Sequence, residues 1–420
     1  MKRFSAPAIL LLLLGIVAYI ILVLITIYHK QPPLYDEPLF IPNVYLFEKY
    51  GLTKEFLLKI NEQAPGPLYQ FIHYPLRGIT HLQTPGIRLV NTALLGLMIL
   101  LLTAIITQIN KVEKKHAFLL ALNMMAIPMA WNVSGMALTE IPPMFFATLS
   151  ILFLLHALRK QDSAFSISLL LALLAGAATG LSILGRSPFL IMVPAAGALL
   201  VRHFHDGRRW AILAVYMSTA LAICLPVFII WKGLMPPQQA FTAAGGLSIQ
   251  HAMLAFAYGA LITFILAPEW FFFNRRILIY MLVAYAVLLV ANLTVIRLKY
   301  APLYFSLAKV FPRDVMRPYP FIIVPVLWVI ACYFSVCSLI RAWERRQEPF
   351  FLFLFLCAML MLATNLKVMH LFSSRYVAQA APFFVLVLLS YDKISYNKCL
   401  RAIAGMIIGL LSLETYFHFH

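Results

Sequence analysis

Charged residues are scarce in this chain, and acidic residues are the scarcest of them. Only 11% of the 420 residues are charged, with 15 Asp and Glu against 33 Lys and Arg, whereas 63% are hydrophobic. Soluble domains are roughly 25% charged and 45–50% apolar. The composition therefore excludes a water-soluble domain and a disordered chain. The sequence also lacks a glycine-rich nucleotide loop or Walker motif, which argues against direct use of a nucleotide-sugar.

Cysteines are few and isolated. Four of the five lie in apolar runs and the fifth lies in a basic loop, in the order Cys224, Cys332, Cys337, Cys357 and Cys399. No pair has the setting of metal ligands, so the sequence predicts neither a disulfide framework nor a zinc site. We assign no metal ligands from the sequence.

Long apolar runs fill most of the chain. Each is about the length of a membrane span and continuously apolar, which favours helices over the alternating strands of a barrel. We predict an all-α, polytopic membrane protein that forms a single domain over residues 1–420. The thirteen predicted spans are 6–29, 87–108, 117–134, 141–158, 165–184, 188–201, 210–231, 251–268, 277–296, 320–340, 350–366, 376–391 and 402–417.

Basic residues set the predicted orientation. Cytoplasmic loops of membrane proteins carry an excess of Lys and Arg. If the N-terminus is cytoplasmic, the short loops on that side and the first three residues hold 18 of the 33 basic residues. With thirteen spans, this frame places the C-terminus outside.

Two predicted non-cytoplasmic segments are unusual. The loop 30–86 is far longer than a typical connection, and its parts 37–50 and 66–81 have the apolar and aromatic content of amphipathic interfacial helices. The segment 297–319 carries one acid, Asp314, among five basic residues, namely Arg297, Lys299, Lys309, Arg313 and Arg317. It is either a solvated loop or an anion site.

Asp36 and Glu37 follow the first span directly. Acids near a membrane surface are costly to desolvate and often functional. Asp36 also precedes an apolar-periodic run with Pro38 at an early position, which is typical of a helix N-cap. Capping and chemistry are both open for this residue.

Two arginines lie at predicted outer ends of spans. Arg375 precedes Tyr376 at the start of the run 376–391, and Arg186 lies in a tight turn. Each either snorkels to the interface or binds a phosphate with its planar guanidinium. Because Arg375 begins its span on the face of the first loop, we expect it to lie near Asp36.

These features together resemble the GT-C superfamily of membrane glycosyltransferases, which take sugars from polyprenyl-phosphate donors. Within it, the chain is most similar to the dolichyl-phosphate-glucose-dependent α-1,2-glucosyltransferases. Their first loop has Asp-Glu, three residues, Ile-Pro and a Pro-Gly-Leu-Tyr turn. The matching residues here are Asp36-Glu37, Ile41-Pro42 and, with one inserted proline, Pro65-Gly66-Pro67-Leu68-Tyr69.

The late Arg-Tyr of that family, followed by proline, is matched by Arg375, Tyr376 and Pro382. Its Arg-Gln-Thr-Asn turn is matched only by Arg186, because Ser187 and Pro188 depart from it. This departure leaves the transferred sugar and the acceptor open.

The resemblance implies an inverting sugar transfer on the non-cytoplasmic face. Asp36 would be the base, with Glu37 orienting the acceptor or binding a divalent cation such as Mg²⁺ or Mn²⁺; no cofactor is certain. The donor phosphate would be held by Arg375, Arg186, Lys299, Lys309, Arg313 and Arg317. Substrate-binding candidates are Tyr69, His73 and Tyr376.

The partners implied are a polyprenyl-phosphate sugar, a lipid-linked or cell-envelope glycan acceptor and membrane lipids, with no nucleic acid. Minimal loops favour a bacterial cytoplasmic membrane over the endoplasmic reticulum.

A transporter or flippase of an anionic lipid is the alternative. Such proteins have repeated halves and paired ionisable groups at mid-membrane. The sequence has no clear repeat, and its mid-depth polar candidates Glu140, Asn123 and Asn292 are interpreted as too few and unpaired. The enzyme is the favoured interpretation.

The orientation can be tested by cysteine labelling in a variant that lacks the five native cysteines. Lys54→Cys and Lys309→Cys should both react with an impermeant reagent in intact cells. Reaction of either only after permeabilisation would contradict the orientation.

Overall fold

The computed structural model describes residues 4–243, 246–297, 307–308, 311–369 and 372–418. Every regular element in these ranges is helical, so the predicted all-α fold is confirmed. The helices are α1 (Ala6–Tyr28), α2 (Glu37–Tyr50), α3 (Lys54–Lys59), α4 (Leu68–Thr80), α5 (Gly86–Asn110), α6 (Lys114–Ala121), α7 (Pro128–Gly135), α8 (Ile141–Lys160), α9 (Phe165–Gly185), α10 (Met192–Ala195), α11 (Gly207–Trp231), α12 (Ile249–Leu266), α13 (Arg275–Ala291), α14 (Arg313–Met316), α15 (Tyr319–Glu344), α16 (Pro349–Ala363), α17 (Arg375–Ala378), α18 (Ala381–Val387) and α19 (Tyr396–His418).

Ten of the described helices are long and apolar enough to cross a membrane. They contain α1, α5, α8, α9, α11, α12, α13, α15, α16 and α19. Each coincides with one predicted span. The multi-pass architecture is therefore confirmed.

The predicted span 117–134 is not one straight helix. The chain bends by 82° between Lys114–Ala126 and Pro128–Gly135. Pro128 has no N–H to continue the first helix, and its ring disfavours helical backbone at Ile127, which has φ −87° and ψ 111°. The predicted span 117–134 therefore consists of a bent pair of helical segments rather than one continuous helix.

The short predicted span 188–201 runs from one end of the bundle to the other. Just before it, Arg186 forms an ion pair with Glu140 at the start of α8. Just after it, Asp206 accepts a hydrogen bond from Gln161 at the end of α8. The short run therefore covers the length of α8. Much of it is 3-10 helix, whose rise per residue exceeds that of an α-helix.

The predicted span 376–391 also runs from one end of the bundle to the other. It begins at Arg375, which is paired with Asp36, and ends next to Asp392, which is paired with Lys398. Lys398 lies in the first turn of the last helix, α19, whereas Asp36 follows the first helix. The run therefore connects opposite ends of the bundle through α17, α18 and a closing 3-10 turn.

The first loop is a compact helical layer. α2 and α4 coincide with the predicted segments 37–50 and 66–81, and α3 lies between them. On α2, Phe40 and Val44 are buried, and Phe47 contacts Phe56 of α3 edge-on with ring centroids 5.0 Å apart. The apolar spacing predicted the inner face of α2 because those side chains share one side of the helix.

Gly66 lies where this layer meets α9. A Cβ atom at this position would stand 2.1 Å from the carbonyl oxygen of Leu184. Gln63 fixes the same turn, since its Nε2 donates to the carbonyl oxygens of Pro65 and Gly66 at 3.2 and 2.9 Å. The close approach requires glycine, and it seats the loop on the bundle.

Gly66→Ala should destabilise the protein by about 1–3 kcal/mol, the usual range for overpacking, because a backbone atom cannot move aside easily. Gly78→Ala in α4 is the matched control, since a Cβ atom there meets nothing within 4 Å. Thermal unfolding in detergent would measure both. Equal melting temperatures for the two variants would contradict the close approach.

Candidate active site

Asp36 forms an ion pair with Arg375, as expected from the sequence. The distance from Arg375 Nη2 to Asp36 Oδ2 is 2.7 Å. The Asp36 side chain is 38% exposed and that of Arg375 is 14% exposed. The pair is thus reachable from outside, although its arginine is largely enclosed.

Asp36 occupies the N-cap position of α2, but its side chain makes no capping hydrogen bond. Its backbone is αR rather than the extended conformation usual for a cap. The capping interpretation is therefore wrong for the side chain. Its carboxylate is available for the pair with Arg375 instead.

Glu37, the next residue, is fully buried and fully hydrogen-bonded. Its Oε1 accepts from Arg88 Nε at 2.9 Å and from the backbone N–H of Ala137 at 2.7 Å. Its Oε2 accepts from Arg88 Nη2 at 2.7 Å and from the N–H of Leu34 at 2.8 Å. Glu37 therefore anchors the turn that presents Asp36.

Two adjacent acids thus have opposite surroundings. Glu37 has no exposed surface, and N–H donors occupy both its oxygens, so it does not fit a divalent cation in this arrangement. Asp36 is partly exposed and faces a guanidinium. Sequence reasoning missed the partner of Glu37. The available signal was Arg88 itself, an arginine inside the second apolar run.

A second ion pair lies beside the first. Arg186 Nη2 donates to Oε1 of Glu140, which is completely buried at the start of α8. The interpretation of Glu140 as unpaired is therefore wrong. In the described part of the chain, the Glu140 Oε2 and Arg186 Nε atoms are buried without hydrogen-bond partners, so this pair retains donor and acceptor capacity.

Tyr376 and the two ion pairs form one cluster. The Arg186 guanidinium lies 5.9 Å from the centre of the Tyr376 ring. Burial alone would lower the pKa of Arg375, but the carboxylates of Glu140 and Asp36 raise it above its ordinary value. The cluster holds two carboxylates and two permanently charged guanidiniums.

Tyr69 and His73 lie beneath α2 rather than on an open surface. Their rings stack with centroids 4.0 Å apart, and both side chains are buried. Burial lowers the pKa of His73 to about 3, so the imidazole is neutral at physiological pH. Burial and the charge of Glu37 raise the pKa of Tyr69. In this arrangement the two residues pack the loop onto the site.

The basic segment 297–319 is only partly described. Lys299 and Lys309 lie outside the described residues. Arg313 and Arg317 are exposed at α14, and among the described residues neither forms an ion pair. The structure does not bring these two arginines into the Asp36 cluster.

An apolar cavity of about 420 Å³ separates α13 from α15. None of the described residues of α13 is buried, so this helix lies at the periphery of the bundle, against α15. The cavity lining includes Phe272, Tyr280, Leu288, Val329, Tyr333 and Val336.

Comparison with known proteins gives little at the level of sequence. No family model and no curated protein matches the chain. Among solved structures, the chain is similar to ArnT from Cupriavidus metallidurans, whose crystal structure contains bound undecaprenyl phosphate. The identity is 13% and the TM-score is 0.47, with 96% of this chain and 77% of ArnT covered. Similarity at this level carries no argument about substrate or mechanism.

Loss of one partner of the buried Glu37–Arg88 pair should be strongly destabilising. Arg88→Met leaves the Glu37 carboxylate buried without its partner, which typically costs about 3–5 kcal/mol. Glu37→Met in the same background should recover part of the loss, because no buried charge then remains. Thermal unfolding of the single and double variants measures this.

Glu55→Gln is the control for loss of an ion pair. Its partner Lys59, at 2.6 Å, is exposed, and exposed pairs contribute little. A melting temperature for Arg88→Met as high as that of Glu55→Gln would contradict the importance of the buried pair.

Proposed function

We propose that this protein is a GT-C membrane glycosyltransferase that transfers a sugar from a polyprenyl phosphate to an acceptor hydroxyl on the non-cytoplasmic face. The Asp36–Arg375 pair at 2.7 Å carries the proposal. It unites the two motifs on which the family resemblance rests, although they are more than three hundred residues apart in the sequence. A base and a phosphate-binding cation are the two groups that such a displacement needs.

In the proposed reaction, an acceptor O–H attacks the anomeric carbon of the donor sugar. Asp36 takes the proton of this hydroxyl while the new C–O bond forms. The bond between the anomeric carbon and the phosphate oxygen breaks, and the lipid phosphate leaves with the bonding electrons. Arg375 stabilises the charge that develops on the leaving group. The sugar is transferred with inversion because there is a single displacement.

The ion pair itself supplies a mechanism for activating the base. While Asp36 is bound to Arg375, the guanidinium occupies its Oδ2 atom. A donor phosphate would compete for the same planar N–H groups. Arg375 would then turn to the phosphate, and the Asp36 carboxylate would be released to take the hydroxyl proton only when the donor is present.

Arg186 is the second proposed phosphate ligand. Its Nε has no hydrogen-bond partner among the described residues, and Glu140 holds the other side of its guanidinium. Two arginines from separate segments could contact different oxygens of one phosphate. Apart from Arg186, its turn departs from the α-1,2-glucosyltransferase pattern. Transfer of a sugar is therefore the main proposal, and glucose as the transferred sugar is a separate, narrower one.

The apolar cavity between α13 and α15 is the proposed place for part of the polyprenyl chain. Both helices are candidate spans, and the lining is formed by aromatic and aliphatic side chains. A polyprenyl tail requires such an apolar surface next to the bilayer. A bacterial cytoplasmic membrane remains the proposed location.

Mass spectrometry of lipid-linked sugars in cells with and without the protein would test the reaction class. Loss of the protein should cause a polyprenyl-phosphate sugar to accumulate and a glycosylated product to disappear. Movement of an unchanged lipid across the membrane, without a new glycosidic bond, would favour the transporter or flippase instead.

Asp36→Asn should reduce kcat by about 10²–10⁴-fold, the usual contribution of a general base, while the melting temperature changes little because the side chain is partly exposed. Arg375→Lys keeps the charge but loses the planar donor pair, so it should weaken donor binding and lower kcat, with Arg375→Ala worse. Steady-state kinetics with the identified donor measure these effects.

Binding of undecaprenyl phosphate to the purified protein separates the two roles. Arg375→Ala should bind it at least about tenfold more weakly, in line with loss of a charge-assisted hydrogen bond, and Asp36→Asn should not. Arg77→Ala, at an exposed arginine paired with Glu48 on the same loop, is the control. Wild-type binding and turnover in Arg375→Ala would contradict the phosphate-binding role. The arginine would then only extend its charged end to the membrane interface.

A further inference from the structure

Three potential metal ligands meet where the first and last helices end. His29 follows α1, and Glu414 and His418 are one turn apart near the end of α19. None of them belongs to the Asp36 cluster, and sequence reasoning singled out none of them. The spacing of Glu414 and His418 places both side chains on one face of α19. This face is turned toward His29.

The three donor atoms are close to the geometry of a bound ion. His29 Nε2 lies 3.1 Å from each oxygen of Glu414, and His418 Nε2 lies 3.2 Å from Glu414 Oε2. One ligand atom from each residue can be chosen so that all lie within 4.8 Å of one another. Ligands of tetrahedral zinc at about 2.0–2.1 Å from the ion stand about 3.3 Å apart. The His418 side chain is 68% exposed, so it has room to move toward the other two ligands.

We propose that His29, Glu414 and His418 bind a divalent transition-metal ion, with zinc the best fit. Two imidazoles and one carboxylate form an established zinc ligand set, and the fourth position would hold water. Mg²⁺ and Ca²⁺ prefer oxygen ligands, so they fit this set poorly.

The surroundings of His29 fix its ring for such a role. The ring stacks on Phe417, with centroids 4.2 Å apart and planes inclined by 14°. The Gln31 side-chain amide lies 3.2 Å from His29 Nδ1. With its oxygen turned toward Nδ1, Gln31 accepts the Nδ1–H and leaves the Nε2 lone pair for the metal, as second-shell partners of zinc-bound histidines do.

The proposed ion has a structural task. It ties the end of α1 to α19 immediately before the turn that presents Asp36. Arg88 links the two regions, because its Nη1 donates to the carbonyl oxygen of His29 at 2.9 Å while its other nitrogens hold Glu37. A metal at His29 would therefore restrain the segment between His29 and Glu37.

The test is zinc binding by the full-length protein after removal of any polyhistidine tag. Elemental analysis should give about one zinc per chain, and zinc added to the chelator-treated protein should raise the melting temperature by at least about 3 °C. Mg²⁺ at the same concentration should have no effect.

Variants locate the site. His418→Ala removes an exposed side chain without disturbing the core, and Glu414→Gln preserves size. Each of these two variants should weaken zinc binding by more than about 100-fold, because loss of a ligand should cost more than the roughly 10–100-fold typical for loss of an outer-shell partner. Gln31→Ala, which removes such a partner, should weaken zinc binding about tenfold. His205→Ala, at an exposed histidine in another loop, should bind zinc like the wild type.

Zinc binding unchanged in both His418→Ala and Glu414→Gln would overturn the proposal, as would a wild-type protein that neither contains zinc nor is stabilised by it. The experiment is independent of sugar transfer. Asp36→Asn should bind zinc normally whether or not the protein is a glycosyltransferase.

Discussion

The buried ion pair between Glu37 and Arg88 is the constraint on which the candidate site depends. Both side chains have no exposed surface, and the carboxylate accepts five hydrogen bonds from α5, from the segment before α2 and from the loop after α7. A buried charge without its partners is strongly unfavourable, so these segments must come together for the chain to fold. Because Glu37 is held in place, the position of the neighbouring Asp36 is also fixed.

The rest of the cluster is assembled from four separate parts of the chain. Asp36 precedes α2, Glu140 precedes α8, Arg186 follows α9 and Arg375 begins α17. Each stands at the end of a helix, on the same side of the bundle. Pairing of each guanidinium with a carboxylate keeps four ionised groups stable in a crowded place. The same pairs leave Arg186 Nε and Glu140 Oε2 without partners among the described residues.

The first loop packs against the bundle next to this cluster. Its three helices pack aromatic side chains inward, and Gly66 permits the turn before α4 to touch the backbone of α9. Tyr69 and His73, two residues whose side-chain types are common in active sites, are used in that packing. Burial keeps His73 uncharged, which suits a residue enclosed by the loop better than one that exchanges protons with a substrate.

The sequence by itself determined the helical fold and the approximate limits of its spans, because length and continuous apolarity suffice to specify spans in a membrane. It also indicated Asp36 and Arg375 as a pair on one face, since both follow or begin predicted spans there. The burial of Glu37 by Arg88, the pairing of Glu140 with Arg186 and the meeting of His29 with Glu414 were decided only by the tertiary structure. These contacts join residues distant in sequence, and local periodicity contains no information about which helix ends become neighbours.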